Sequence, residues 1–186
     1  MILVAGIGNI FMGDDAFGSE VARHAYRLNS ANVRVTDFGI RGLDLAYALM
    51  DDYDATIIVD IVRRGGDPGT IYVIEPDLSE LPYAATLDGH AMDPMRVLAL
   101  SRSMGADLKN IHIVGCEPET LGPDEGNIGL SPRVSQAVGR AVEVVESLIG
   151  RETESPPREE GCPRYQEKWR EASLKGADGV VAHKEN

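Results

Sequence analysis

Two adjacent aspartates, Asp14 and Asp15, close the glycine-rich stretch GIGNIFMGDDAFG, which follows an apolar run at the start of the sequence. A turn between a strand and a helix commonly receives phosphate, because a helix N-terminus presents unpaired N–H groups and the positive end of its dipole. Two phosphate motifs can be tested against it. The dinucleotide fingerprint G-x-G-x-x-G finds Gly6 and Gly8 but meets Phe11 at its third glycine, too bulky for close helix-on-strand packing. The P-loop pattern finds Gly8 and Gly13 but then Asp14-Asp15 where Lys and Ser or Thr are required. Carboxylates there repel a triphosphate, so no nucleotide is expected. The pair suits a different chemistry: Asp14 caps the first helix, and Asp15 offers a hard oxygen ligand to a cation.

Other polar residues fall where apolar strands end. Asp37 closes NVRVTDF, Asp60 interrupts the apolar run ATIIVDIV, His90 lies in the loop before a helix, and Cys116-Glu117 close NIHIVGCE. An aspartate in the position of Asp60 costs roughly several kcal/mol to desolvate unless it is paired, hydrogen-bonded or metal-bound. Asp15, Asp60 and His90 together would put two carboxylates and an imidazole at one rim, a set that suits a divalent ion of borderline softness with open positions. The plainer reading stands beside it: Asp60 accepts neighbouring backbone N–H bonds, and His90 is an ordinary loop histidine. His24 reads as solvent-facing, His112 as a strand-packing residue, and Cys116 as a buried, inert thiol.

The elements that must position these residues follow from periodicity. Apolar or alternating runs at 2–8, 32–38, 55–62, 69–75 and 110–117 predict strands. Helix-period segments at 16–28, 42–50, 91–104 and 131–150 predict helices, the second with Leu43, Ala46, Tyr47 and Met50 inward. The last begins with Ser131 as N-cap and Pro132 at its first position, and ends at Gly150. Such alternation predicts a three-layer α/β sandwich with a mostly parallel, about five-stranded sheet flanked by helices. Only RRGGDP separates the third strand from the fourth, too little for a helical crossover, so the fourth is expected to run antiparallel to its neighbour. In such sheets the functional crevice lies beyond the C-terminal ends of the strands, where the polar residues above collect.

Composition narrows the partners. The 186 residues carry 30 acidic against 18 basic side chains, a formal charge of −12, and no basic cluster, which argues against nucleic acid. Residues 1–150 hold 22 acids and 11 bases, hence −11; the remaining 36 hold 8 and 7, with a Pro-Pro pair and few aliphatics. The chain therefore divides into an α/β domain, 1–150, and a charged, flexible tail, 151–186. The two cysteines form no CxxC motif, no apolar run is long enough to span a membrane, and MILVAGIG is too short for a signal peptide. A cytoplasmic protein is expected.

The motifs GIGNIFMGDDAFG, DFGIRGLDL, IIVDIV, GHAM and GCEPE, in this order and spacing, resemble those of the hydrogenase maturation endopeptidases, over about residues 1–149. The resemblance implies a peptidase that removes the C-terminal extension from the large-subunit precursor of a nickel–iron hydrogenase. It implies that Asp15, Asp60 and His90 contact a metal, the nickel carried by the substrate itself. It implies a role in activity for Asp37, with a carboxylate (Asp37 or one of the ligands Asp15 and Asp60) orienting water or the peptide. Phe38 stands where some relatives have glycine, a change expected to alter which precursor is accepted. Two other readings remain open at this point. One is a non-catalytic nickel-sensing scaffold with the same rim. The other is a flavodoxin-like small-ligand domain, in which Phe38 and Tyr83 stack on a ring.

Overall fold

The computed structural model describes residues 1–81, 93–121 and 128–154, together with the backbone of 180–184. Its strands are β1 (Ile2–Ile7), β2 (Val33–Gly39), β3 (Ala55–Ile61), β4 (Ile71–Glu75), β5 (Ile111–Cys116) and β6 (Val180–Lys184). Its α-helices are α1 (Phe17–Ala25), α2 (Gly42–Ala48), α3 (Pro94–Ser103) and α4 (Pro132–Glu154). The strands lie in the order β2-β1-β3-β5-β4-β6. β1 pairs in parallel with both β2 and β3, and β3 with β5, while β4 runs antiparallel to β5. β4 is thus reversed as its short connection requires. Its neighbour, however, is the later strand β5, which inserts between β3 and β4. Five strands and four helices make the expected α/β sandwich, and Val180–Lys184 extends the sheet beside β4 as a sixth strand.

Strand side chains alternate between the two faces and so build two cores. Ile2, Val4, Ile57 and Val59 pack with Phe17 and Val21 of α1 and with Val134, Val138 and Val145 of α4. Leu3, Ala5, Ile7 and Ile58 pack on the other face with Leu45 and Leu49 around α2 and with Val97 and Leu98 of α3. In α2 the inward set differs from the expected one. Leu45, Ala46 and Leu49 are buried, whereas Leu43, Tyr47 and Met50 are exposed. The helix starts from Arg41 directly after the β2 turn, and it is Leu45, Ala46 and Leu49 that meet the core on the α2 and α3 side of the sheet.

Ends also differ. The first helical stretch is a 3-10 turn at Asp14–Ala16, α1 proper, and a second 3-10 turn at Tyr26–Leu28. α4 passes through Gly150 to Glu154, and its last turn is held where Glu152 Oε1 lies 3.1 Å from the buried His112 Nε2 on β5. Among the described residues no helix is long and apolar enough to cross a membrane.

Candidate active site

The site forms where β1 and β3 end side by side. The chain leaves β1 toward β2 on one side, and β3 lies on the other, so this is the point at which the sheet's winding reverses. The loop after β1 is folded back on itself. Gly8 has φ +137°, and a Cβ there would collide with the carbonyl of Asp15. Asn9 Oδ1 accepts from Phe11 N–H at 3.0 Å, and Asn9 N–H donates to Asp15 Oδ2 at 2.8 Å. The turn therefore fixes the Asp15 carboxylate over the end of β1. Partial burial raises the Asp15 pKa, and the Asn9 N–H opposes that shift.

Asp60 stands on β3, 5% exposed, in register with Gly115 of β5. Its Oδ1 accepts from Ile61 N–H at 2.7 Å. Burial drives its pKa well above the ordinary carboxylate value; the Ile61 N–H works against this, while the negative charges of Asp15 and Asp93 push it further up. Asp15 and Asp60 are thus two desolvated carboxylates that repel each other, an arrangement a bound cation would relieve. Asp93 was not singled out from the sequence. It caps α3, accepting from Met95 N–H at 2.9 Å, and the Asp-Pro step that opens α3 was its visible signal. His90 lies outside the described residues. Among the described residues no three of His, Cys, Asp and Glu converge as a metal cage.

Asp37 is exposed at the end of β2, in register with Gly6 of β1. Its Oδ1 accepts from Ser19 Oγ of α1 at 2.8 Å and from Gly39 N–H at 2.9 Å. Gly8 N–H bonds the Gly39 carbonyl at 3.1 Å, so the turn bearing Asp37 is tied to the loop bearing Asp15. Phe38, next to it, points the other way. It is 5% exposed in the α2 side core, so it neither lines the cleft nor offers a ring to a ligand.

Asp14 is the largest departure from expectation. It makes no helix cap. Its side chain is fully buried and reaches across to the segment before α4, accepting from Glu119 N–H at 2.8 Å, Thr120 N–H at 2.9 Å, Ser131 N–H at 2.6 Å and Ser131 Oγ at 3.1 Å. Ser131 stands directly before Pro132 as expected, its carbonyl accepting the Ser135 N–H at 2.8 Å, and its hydroxyl donates to Asp14 as well. Glu117 plays a similar part for the loop after β3, accepting from Arg64 N–H, Gly65 N–H and Tyr72 OH at 2.8, 3.2 and 2.9 Å. Burial would raise the Glu117 pKa, yet these donors hold it below the ordinary value.

Cys116 is buried, and its thiol pKa is pushed up to about 12 by burial and then by the charge of Asp14. It is a packing residue, as expected, and supplies no thiolate at neutral pH. His24 is exposed and His112 is buried on β5, in line with the roles read for them.

These features define a class: an open α/β protein whose switch point presents carboxylates where nucleotide-binding relatives of the architecture present a phosphate cradle. A profile of the hydrogenase maturation protease family matches residues 19–148, and the chain belongs to that family of peptidases. It is 32% identical over 163 residues to the hydrogenase 2 maturation protease of Escherichia coli, covering 85% of this chain and 96% of that protein. It is also 31% identical over 156 residues to the coenzyme F420 hydrogenase subunit delta of Methanothermobacter thermautotrophicus, covering 80% of this chain and 94% of that one. Its fold is similar to the solved structure of the hydrogenase maturating endopeptidase HybD of E. coli, with a TM-score of 0.65 at 29% identity over 81% of this chain and 92% of that one.

Proposed function

We propose that this peptidase removes the C-terminal extension from the nickel-loaded large-subunit precursor of a nickel–iron hydrogenase, in the cytoplasm. The observation that carries the reading is the pairing of Asp60, a buried carboxylate with one hydrogen bond among the described residues, with the half-buried Asp15 beside it. Two such groups are costly without a cation and favourable with one. The cation here belongs to the substrate: nickel held by the precursor would meet Asp15, Asp60 and, from the segment before α3, His90. Only a loaded precursor would then be held firmly enough to place its scissile bond in the cleft. Asp37 supplies the polar group for the chemistry. Its Oδ1 is fixed by Ser19 and Gly39, which leaves Oδ2 to accept a hydrogen bond from water or from the peptide. Cys116 supplies no thiolate to this chemistry, since it is buried and its thiol pKa is pushed up to about 12.

The test is to incubate the protein with precursor prepared with and without nickel and to follow the precursor mass. Loss of a C-terminal peptide from the nickel-loaded form alone is expected. Asp60→Ala should lower that rate at least about a hundredfold while the fold, read by circular dichroism, persists. Equal cleavage of loaded and empty precursor, or full activity in Asp60→Ala, would sink the reading. An intact precursor that still binds would point to a scaffold instead of a peptidase.

A further inference from the structure

A cleft of about 860 Å³ runs from Asp37 down between α1 and the outer side of β2. Its walls include Phe11, Tyr26 and Ile128, whose rings and side chains are 64%, 70% and 82% exposed, and its floor includes Val35 and Ala22. Large apolar side chains this exposed, grouped around one depression, mark a binding surface. Among the described residues that line it, the two ionic groups other than Asp37, Glu20 and Arg23, pair with each other across one helical turn.

β2 is the edge of the sheet, and an open edge would invite a strand of another chain. That edge is blunted along its length. Ser30 exchanges backbone hydrogen bonds with Val33 in both directions, Asn29 Oδ1 takes Val35 N–H at 2.9 Å, and Arg41 Nη2 donates to the Asp37 carbonyl at 2.7 Å. Edge-to-edge pairing, whether with a second copy or with a peptide strand, is therefore disfavoured. An occupant of this cleft must be held by its side chains.

We infer that the cleft holds apolar side chains of the precursor's C-terminal extension, and that Phe11, Tyr26 and Ile128 select that extension. The inference rests on the peptidase reading above. The site and the cleft share Asp37, so a chain cut there continues into one of the spaces around it. The folded, nickel-bearing body must face Asp15 and Asp60 at the rim. The cleft lies between α1 and β2 and reaches Asp37 at one end, and its apolar walls suit the side chains of an extended terminal segment.

Two measurements separate this inference from the function it rests on. In the first, a benzophenone amino acid replaces Tyr26, and the full-length protein is irradiated with nickel-loaded precursor. Cross-links confined to the extension, and lost when the precursor ends at the cleavage point, are expected. Cross-links to the folded body, or to a second copy of the protein, would overturn the inference whether or not cleavage occurs. In the second, Phe11→Ser with Tyr26→Ser should raise KM for precursor about tenfold with kcat within about twofold. An unchanged KM in a wild-type background that cleaves normally would also overturn it. A wild-type protein that fails to cleave, yet cross-links to the extension, would remove the catalytic reading and leave the cleft assignment standing.

Discussion

A carboxylic acid at the end of a buried strand is destabilising when ionised and nearly harmless when protonated, and Asp60 is held in that position between two other acids. Its native pKa lies well above the unfolded value of 3.8, chiefly through burial, with Asp15 and Asp93 adding to it against the Ile61 N–H. The native state therefore binds the Asp60 proton more tightly than the unfolded chain does. This group's contribution to stability is fully present below the unfolded pKa and is lost as pH rises through the native one. Asp60→Asn keeps the acceptor for Ile61 N–H and carries no charge. The variant should match wild type near pH 4 and melt a few degrees higher near pH 7, as differential scanning calorimetry across that range would read. A variant that melts lower at neutral pH would mean that ionised Asp60 has a stabilising partner. The sequence exposed this residue because a charge inside TIIVDIV has no structural reason to be there. It exposed Asp15 only as one of two adjacent acids, and it assigned the other, Asp14, wrongly. Nothing local distinguishes a helix cap from a carboxylate whose donors lie more than a hundred residues away.

Asp14 belongs to the scale of elements, since it joins the loop after β1 to the segments that follow β5 and precede α4. Three backbone N–H groups and one hydroxyl converge on it in a fully buried place. Asp14→Ala leaves those donors without an acceptor, at about 1–3 kcal/mol for each that water cannot reach. The expected loss is about 3 kcal/mol or more, measured by urea unfolding, and a loss under about 1 kcal/mol would show that the tie is dispensable. Hydrogen exchange at Glu119 and Thr120 should also quicken, because their amides lose the acceptor that protects them. Strands and their order of appearance were readable from apolar runs, because burial on both faces leaves a continuous pattern. Helix packing was less so. The missing third glycine suggested that α1 could not approach β1 closely. Yet α1 does so through Gly18, where a Cβ would collide with the carbonyl oxygens of Ile7 and Val59. The close approach is served by a glycine inside the helix, outside any spacing the fingerprint describes.

At the scale of the whole molecule the sheet has two unlike edges, and the site sits toward one of them. β2, beside the cleft, is blunted by Ser30, Asn29 and Arg41. The opposite edge is β4, and there the residues Val180–Lys184 pair in parallel, Ile71 with Val180 through Glu75 with Lys184. Pairing between segments so far apart in sequence leaves no local signature, and the charged composition of 151–186 concealed the strand VVAHK at its end. The two edges are separated by the full width of the sheet, since β1, β3, β5 and β4 lie between β2 and β6. Ending the chain after Glu154 removes β6, which lies at the edge of the sheet opposite Asp37 and the cleft. Cleavage of nickel-loaded precursor by the shortened protein should therefore keep kcat/KM within about twofold of the full chain. What should change is association, because β4 then presents unpaired N–H and C=O groups along Ile71–Glu75. Sedimentation velocity should find the full chain monomeric and the shortened one prone to form larger species as concentration rises. A shortened protein that stays monomeric but loses activity would reverse this assignment, making the far edge, and not the near cleft, the surface the precursor needs.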